Sequence, residues 1–205
     1  MVYEVNSALK PRGLSGISDE QIAQHWHLYE GYVAQVNALR DELATLRREG
    51  KVGTPIYADR RRRLGFEYNG MVLHEYYFGN LKAGAAELRG TSALKKALTG
   101  QFGTFDTFTQ DFIAAGATRS VGWAILYLDP ATGSLNTHFV QLHEDGNVSG
   151  FLPLLVMDVW EHAYMVDYGA SGRHEYMSAF LHNIDWPIVE RRFADAIAGH
   201  IPRRF

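Results

Sequence analysis

An aspartate and a histidine four residues apart, Asp158 and His162, stand directly after the apolar run Leu152-Pro153-Leu154-Leu155-Val156-Met157. A carboxylate delivered at the end of a buried strand is costly unless something positive meets it. A metal cation would meet it, and His162 offers that cation a neutral nitrogen. Two further histidines stand among aromatic residues: His25 beside Trp26, and His74 ahead of Tyr76-Tyr77-Phe78. One Asp and three His around a cation, inside an aromatic shell, suit Fe, Mn or Zn and leave a coordination position for solvent or substrate. The shell would exclude bulk water and tune the metal's potential. There is no cysteine, so thiolate sites, iron–sulfur clusters and disulfides are excluded, and any metal takes nitrogen and oxygen ligands.

These residues must be brought together from distant parts of the chain. Its 205 residues suffice for one large domain or two small ones sharing a core. Ser18-Asp19-Glu20-Gln21 reads as a capping box, and the apolar spacing after it predicts a helix from Asp19 to about Arg48. Residues 51–63 read as polar and irregular, and a second helix is expected from about Arg62 to Lys82. Glycines at 84 and 90 suggest a boundary, giving units 1–90 and 91–205. Helical patterns resume at 91–100 and 104–118. Two β-like runs, Gly122–Leu128 and Asn136–His143, flank the turn signal Asp129-Pro130-Ala131-Thr132-Gly133. Leu154–Asp158 reads as a third strand, and helices are expected over 172–183 and 187–199. The order is all-helical first, then mixed α and β.

Net charge is -3, which gives no bulk pull toward nucleic acid or a membrane. The run Arg60-Arg61-Arg62-Arg63 therefore reads as a solvated or interface face rather than a nucleic-acid site. No window approaches a membrane span, and the first residues lack a signal-peptide core, so the expected location is cytoplasmic.

The motifs resemble those of the iron/manganese superoxide dismutase family. Asp158-Val159-Trp160-Glu161-His162-Ala163-Tyr164 is similar to that family's D-x-W-E-H-A-Y signature. Leu73-His74-Glu75-Tyr76-Tyr77-Phe78 resembles its N-H-x-x-[FY]-W segment, and Ser18 to His25 resembles S-x-x-T-[ILM]-x-x-H. Further matches are Gln101-Phe102-Gly103-Thr104-Phe105, Gly122-Trp123-Ala124 and Asn183-Ile184-Asp185-Trp186. The resemblance covers about residues 15–193.

It implies an α+β fold: an N-terminal long helical hairpin, then a C-terminal α/β part with a three-stranded antiparallel sheet flanked by helices. It places His25, His74, Asp158 and His162 on the metal ligands of one Fe or Mn ion per subunit. The implied activity is dismutation of superoxide to dioxygen and hydrogen peroxide, the metal cycling between its trivalent and divalent states. Tyr32 would stand at the substrate mouth and relay protons, and Trp123 and Trp160 would wall the pocket. Arg173 would steer the anion. Glu161 would cross a two-fold interface, with Tyr164 beside it, in a homodimer or dimer of dimers.

There are departures. His25 to Tyr32 is one residue shorter than the family's spacing, as the loss of a helix bulge would produce. His27 is the alternative ligand, though it breaks the upstream match. Leu28 or Tyr29 stands in place of the family's gateway His, Met165 replaces its second Tyr and Ile125 its second Trp. Gly70 occupies one place for the residue that hydrogen-bonds the metal's solvent and cannot serve. His143 falls at the other place, which leans the metal preference slightly toward Fe. Gln141, expected to share a strand face with His143, is the fallback. Two other readings stay open: a structural relative without redox chemistry, and a non-heme metal enzyme of another class. His27, His138, His174, His182 and His200 read as surface or structural.

Overall fold

The computed structural model describes residues 2–201 and Arg204. The first long helix, α1 (Asp19–Arg48), begins where Ser18 Oγ accepts from the Gln21 amide at 3.0 Å. Asp19 and Glu20 lie at its positive end and Arg47 and Arg48 at its negative end, each complementing the helix dipole. Its buried face runs Ile22, Trp26, Tyr29, Val33, Val36, Leu39, Leu43 and Leu46, the three-and-four spacing of one helical stripe. The helix is unbroken.

The second long helix, α2 (Pro55–Gly79), starts well before the expected Arg62. Thr54 caps it by accepting from the Tyr57 amide, and Pro55 sits in the first turn, where its missing N–H costs nothing. The polarity of residues 51–63 therefore marks an exposed helical face, not an irregular loop. α1 and α2 pack side by side as a hairpin. The second half of α2 is buried all round, through Met71, Leu73, His74, Glu75, Tyr76, Tyr77 and Phe78, because it also packs on the sheet.

Helices α3 (Ala93–Phe102) and α4 (Phe105–Gly116) lead into the sheet. Strands β1 (Gly122–Leu128), β2 (Leu135–Gln141) and β3 (Leu152–Asp158) are antiparallel in the order β2-β1-β3. All seven residues of the central β1 are buried. Trp123 pairs with Asp158, so the start of β1 and the end of β3 meet at one edge of the sheet. A register shift between Leu126 and Tyr127 leaves Leu154 extra, next to Pro153 on the edge strand, where a missing amide is tolerated. Short α5 (Met165–Tyr168), which the sequence patterns did not suggest, precedes α6 (Arg173–His182) and α7 (Trp186–Ile197).

One hydrophobic cluster joins the hairpin and the sheet, from Ile22 and Tyr29 through Phe78 to Leu126, Val156 and Phe180. A polar pin crosses it. Asn80, at the end of α2, donates to the Val156 carbonyl at 2.6 Å. Buried Arg192 of α7 donates to Asn80 Oδ1 at 2.5 Å and to the Leu154 carbonyl at 2.9 Å. Its guanidinium also lies 4.7 Å over the Tyr76 ring. This pin fixes the helix that carries His74 against the strand that carries Asp158.

Gly122 opens β1 at a φ of 155°, and an added Cβ there would stand 2.2 Å from the Val140 carbonyl oxygen. Gly122→Ala should therefore destabilise the protein by about 2–3 kcal/mol through backbone strain. Urea denaturation measures this; an unchanged midpoint would mean β1 and β2 do not approach this closely.

Candidate metal centre

Four elements deliver one side chain each. His25 stands one turn after Gln21 on α1, His74 lies in the buried half of α2, Asp158 ends β3, and His162 sits in the one-turn helix Glu161–Ala163 that follows. Asp158 Oδ2 is 3.1 Å from His25 Nε2, 3.1 Å from His162 Nε2 and 3.7 Å from His74 Nε2. One potential ligand atom from each of the four lies within 4.8 Å of the others, the only such cluster among the described residues. His25, His74 and Asp158 are fully buried. His27, the alternative, is exposed and faces Glu30 at 3.5 Å.

The donor chemistry fits a cation. The Gly70 carbonyl lies 2.6 Å from His74 Nδ1, so that nitrogen carries the proton and donates. His74 Nε2 is then a bare lone pair, buried, without a hydrogen-bond partner and aimed at Asp158. Asp158 Oδ1 is already taken by the Trp160 amide at 2.8 Å, and Tyr176 donates to its backbone carbonyl at 2.7 Å. Three imidazoles and a carboxylate oxygen thus converge, with no lysine or arginine in the cluster. Burial holds His25 below the ordinary histidine value and His74 well below it. Burial alone would raise Asp158, but the His162 and His25 imidazoles more than reverse it and hold the carboxyl well below the usual range.

Aromatic rings close the site. Tyr77 and Phe78 lie 4.9 and 5.0 Å from the His25 ring, Trp123 lies 5.1 Å from His74, and Trp160 stacks on His162 at 5.6 Å. His143 is fully buried between Phe66 and Trp160, at 4.4 and 4.9 Å. Trp123 Nε1 donates to His143 Nδ1 at 3.1 Å. An indole N–H can only donate, so Nδ1 is the acceptor and Nε2 carries the ring proton. Nε2 is 2.7 Å from the Tyr32 hydroxyl and donates to it. Burial lowers His143 to about 4, so at neutral pH it is an uncharged donor of fixed tautomer.

Gln141 does not reach this site. β2 ends at Gln141, Leu142 takes a left-handed φ of 53°, and Gln141 bonds back to Asp145. The strand alternation stops there, so His143 turns inward from a loop while Gln141 is exposed. Tyr32, seven residues after His25 on the unbroken α1, shares its face and is half-buried. It lines a surface cleft of about 660 Å³ with Leu28, Arg60, Arg63 and Glu67. Gly70 serves by its absence of a side chain: a Cβ there would come within 2.6 Å of the Tyr32 ring. Arg173 lies outside that cleft and donates Nη1 to the Ser120 carbonyl at 2.7 Å. Its Nε and Nη2 are buried without partners in the single chain. Glu161 is exposed, and Tyr164 is buried, stacked on Tyr176 at 5.6 Å. Residues that sequence patterns did not single out are Phe66, Asn80, Arg192 and Tyr176; only Phe66 carries a local signal, lying on the same α2 face as Gly70.

A histidine held neutral by burial binds fewer protons folded than unfolded below its ordinary value of 6.5. Stability of the metal-free protein should therefore be full above pH 6.5 and fall as pH drops toward about 4, by roughly 3 kcal/mol from His143 alone. His143→Gln should flatten that part of the curve. Urea titrations at several pH values test this, and a flat wild-type profile would contradict the neutral imidazole.

The comparisons agree with this geometry. Residues 90–192 match the family described as iron/manganese superoxide dismutases, C-terminal domain. A superoxide dismutase [Fe] of Aquifex pyrophilus is 39% identical over 202 residues, covering 96% of this chain and 93% of that protein. One from Cupriavidus metallidurans, also named [Fe], is 33% identical over 96% of this chain and 99% of its own length. Superoxide dismutase [Mn] 2 of Haloferax volcanii is 32% identical, over 95% of this chain and 94% of its own. With four convergent ligands and relatives matched nearly end to end, this chain belongs to the iron/manganese superoxide dismutase family.

Proposed function

We propose that the protein disproportionates superoxide: two superoxide anions and two protons give one dioxygen and one hydrogen peroxide. The observation that carries this is the convergence of His25, His74, Asp158 and His162 on one buried point, with the orphan lone pair of His74 Nε2 aimed into it. Bound there, Fe or Mn supplies one-electron chemistry between its trivalent and divalent states. His143 in place of a glutamine leans the choice slightly toward Fe.

The chain's own residues manage protons, water and access. His143 keeps its Nε2 proton pointed at Tyr32 because Trp123 occupies Nδ1. Burial, and then the Asp158 charge, raise Tyr32 above the ordinary phenol value. Its hydroxyl therefore stays protonated at neutral pH, able to pass a proton from the cleft to a nascent peroxide. Trp123, Trp160, Phe66 and Tyr77 keep bulk water off the ligands. Arg63, held by Glu67 at 2.6 Å and lying 4.1 Å over Phe66, is one of two guanidiniums beside the mouth, with Arg60. Arg173 adds positive field from outside the cleft.

The same reading makes the protein a cytoplasmic homodimer, or a dimer of dimers, that needs neither nucleic acid nor membrane. No helix among the described residues is long and apolar enough to cross a membrane. Exposed Glu161 would accept from His162 of the partner subunit, with Tyr164 supporting the contact. The unpartnered donors of Arg173 and the exposed Met165 and Val166 favour covering this face. Residues 1–90 and 91–205 would act as two units that share one site.

Elemental analysis with superoxide decay after pulse radiolysis tests the activity. Wild type should carry Fe or Mn and consume superoxide, and Asp158→Ala and His162→Ala should lose both. Activity that survives complete metal removal would sink the proposal. Gly70→Ala should push the Tyr32 ring aside and lower turnover roughly tenfold or more, with metal content kept. Unchanged turnover would remove Tyr32 from the proton path. Glu161→Ala should weaken self-association in analytical ultracentrifugation.

A further inference from the structure

Gln21 is polar, only 1% exposed, and lies outside the ligand set. In a capping box its side chain would return to the Ser18 amide. It does not: that amide donates to Asp167 Oδ2 at 2.7 Å. The Gln21 side chain instead reaches across to the other half of the chain. Its Nε2 donates to the backbone carbonyl of His162 at 2.6 Å, and its Oε1 accepts from the Val166 amide at 2.9 Å. The second bond serves the start of α5, where amides lack partners within the helix. Gln21 lies one helical turn before His25 on the same face. One amide therefore ties the backbone of ligand His162 to the helix that carries ligand His25, whose rings stand 4.8 Å apart.

We propose that Gln21 is a positioning residue of the metal centre: its amide clamps the His162 backbone to α1 and so sets where the His162 imidazole stands relative to His25. This rests on the metal-site reading above. The Gln21 amide that makes both bonds is buried, so a substitution there removes partners that the part-buried His162 carbonyl and Val166 amide use. Outer contacts of this kind govern ligand orientation and retention of the metal.

The seam also supplies a control. Tyr168 donates to the Gly16 carbonyl a few residues away, without touching a ligand residue. Gln21→Glu keeps the acceptor for Val166 but places a carboxylate oxygen against the His162 carbonyl. Gln21→Met keeps the length and loses both bonds. Tyr168→Phe cuts the seam away from the ligands. Each protein is loaded with Fe, and two quantities are read: release of iron to a chelator from folded protein, and the ferric electron paramagnetic resonance spectrum. Both Gln21 variants should release iron about tenfold faster or more and show a shifted ferric spectrum. Tyr168→Phe should lower the melting temperature and leave both readouts as in wild type. If the Gln21 variants match wild type, or Tyr168→Phe moves both readouts as far, Gln21 only holds the fold and the proposal is overturned. Should Gln21→Met fail to fold, Gln21→Glu decides alone. Wild-type protein that takes up no iron would instead overturn the metal-site reading itself.

Discussion

The rest of the structure is arranged around one buried charge, the Asp158 carboxylate. An ionised carboxylate fully removed from water costs several kcal/mol unless it is matched. The chain matches it only in part. A backbone amide from Trp160 takes one oxygen, and the other faces three imidazoles, of which burial lowers the pKa of His25 and His74. Neutral imidazoles can donate hydrogen bonds, yet His74 cannot do so here, since its proton is spent on the Gly70 carbonyl. The carboxylate has no cation beside it at the point where the His74 Nε2 lone pair has no acid to meet. A divalent or trivalent metal resolves both deficits at once. The apoprotein should therefore be the strained form, and metal binding should contribute directly to folding stability.

A site of this kind needs its two halves held to a fraction of an ångström, and they come from opposite ends of the sequence. Hydrophobic packing brings the hairpin and the sheet together but is tolerant of small slides. Directional bonds across the seam remove that tolerance. Asn80 and Arg192 lock α2 to β3, the elements of His74 and Asp158. Asn183 exchanges two bonds with Ser15 just ahead of α1, at 2.9 and 2.7 Å. Gln21 then closes the gap between His25 and His162. Each pin is a buried polar group whose alternative is an unsatisfied donor or acceptor, so each selects one arrangement more strongly than its net energy suggests.

Local chemistry was legible in the sequence and long-range chemistry was not. Helix α1 could be bounded from Ser18 and the apolar stripe, because caps and periodicity act within a few residues. Helix α2 starts at Pro55 rather than the expected Arg62, because the exposed helical face over residues 55–63 and a polar loop look alike in composition. Strand β2 was extended too far for a different reason. Leu142 adopts a left-handed backbone that its residue type does not advertise, and the alternation that paired Gln141 with His143 stops there. The four candidate ligands were visible through spacing and resemblance, and burial separated His25 from His27. Arg192 gives no hint, since a late arginine buried against β3 is a property of the assembled fold. Gln21 reads from the sequence only as half of a local cap.

The residues around Tyr32 form one interdependent group. The step of seven residues from His25 to Tyr32 is about two turns of an unbroken α-helix, so both side chains leave α1 on one face. The Tyr32 ring then stands where a side chain on α2 would otherwise lie, and Gly70 leaves that volume empty. The loop after β2 brings His143 to the Tyr32 hydroxyl as its hydrogen-bonding partner. The left-handed turn at Leu142 sets that imidazole between Phe66, Trp123 and Trp160. Trp123 then decides which nitrogen bears the proton. A helix spacing, a missing Cβ, a left-handed turn and an indole N–H thus depend on one another, and changing any one alone leaves Tyr32 without room or His143 without a defined tautomer.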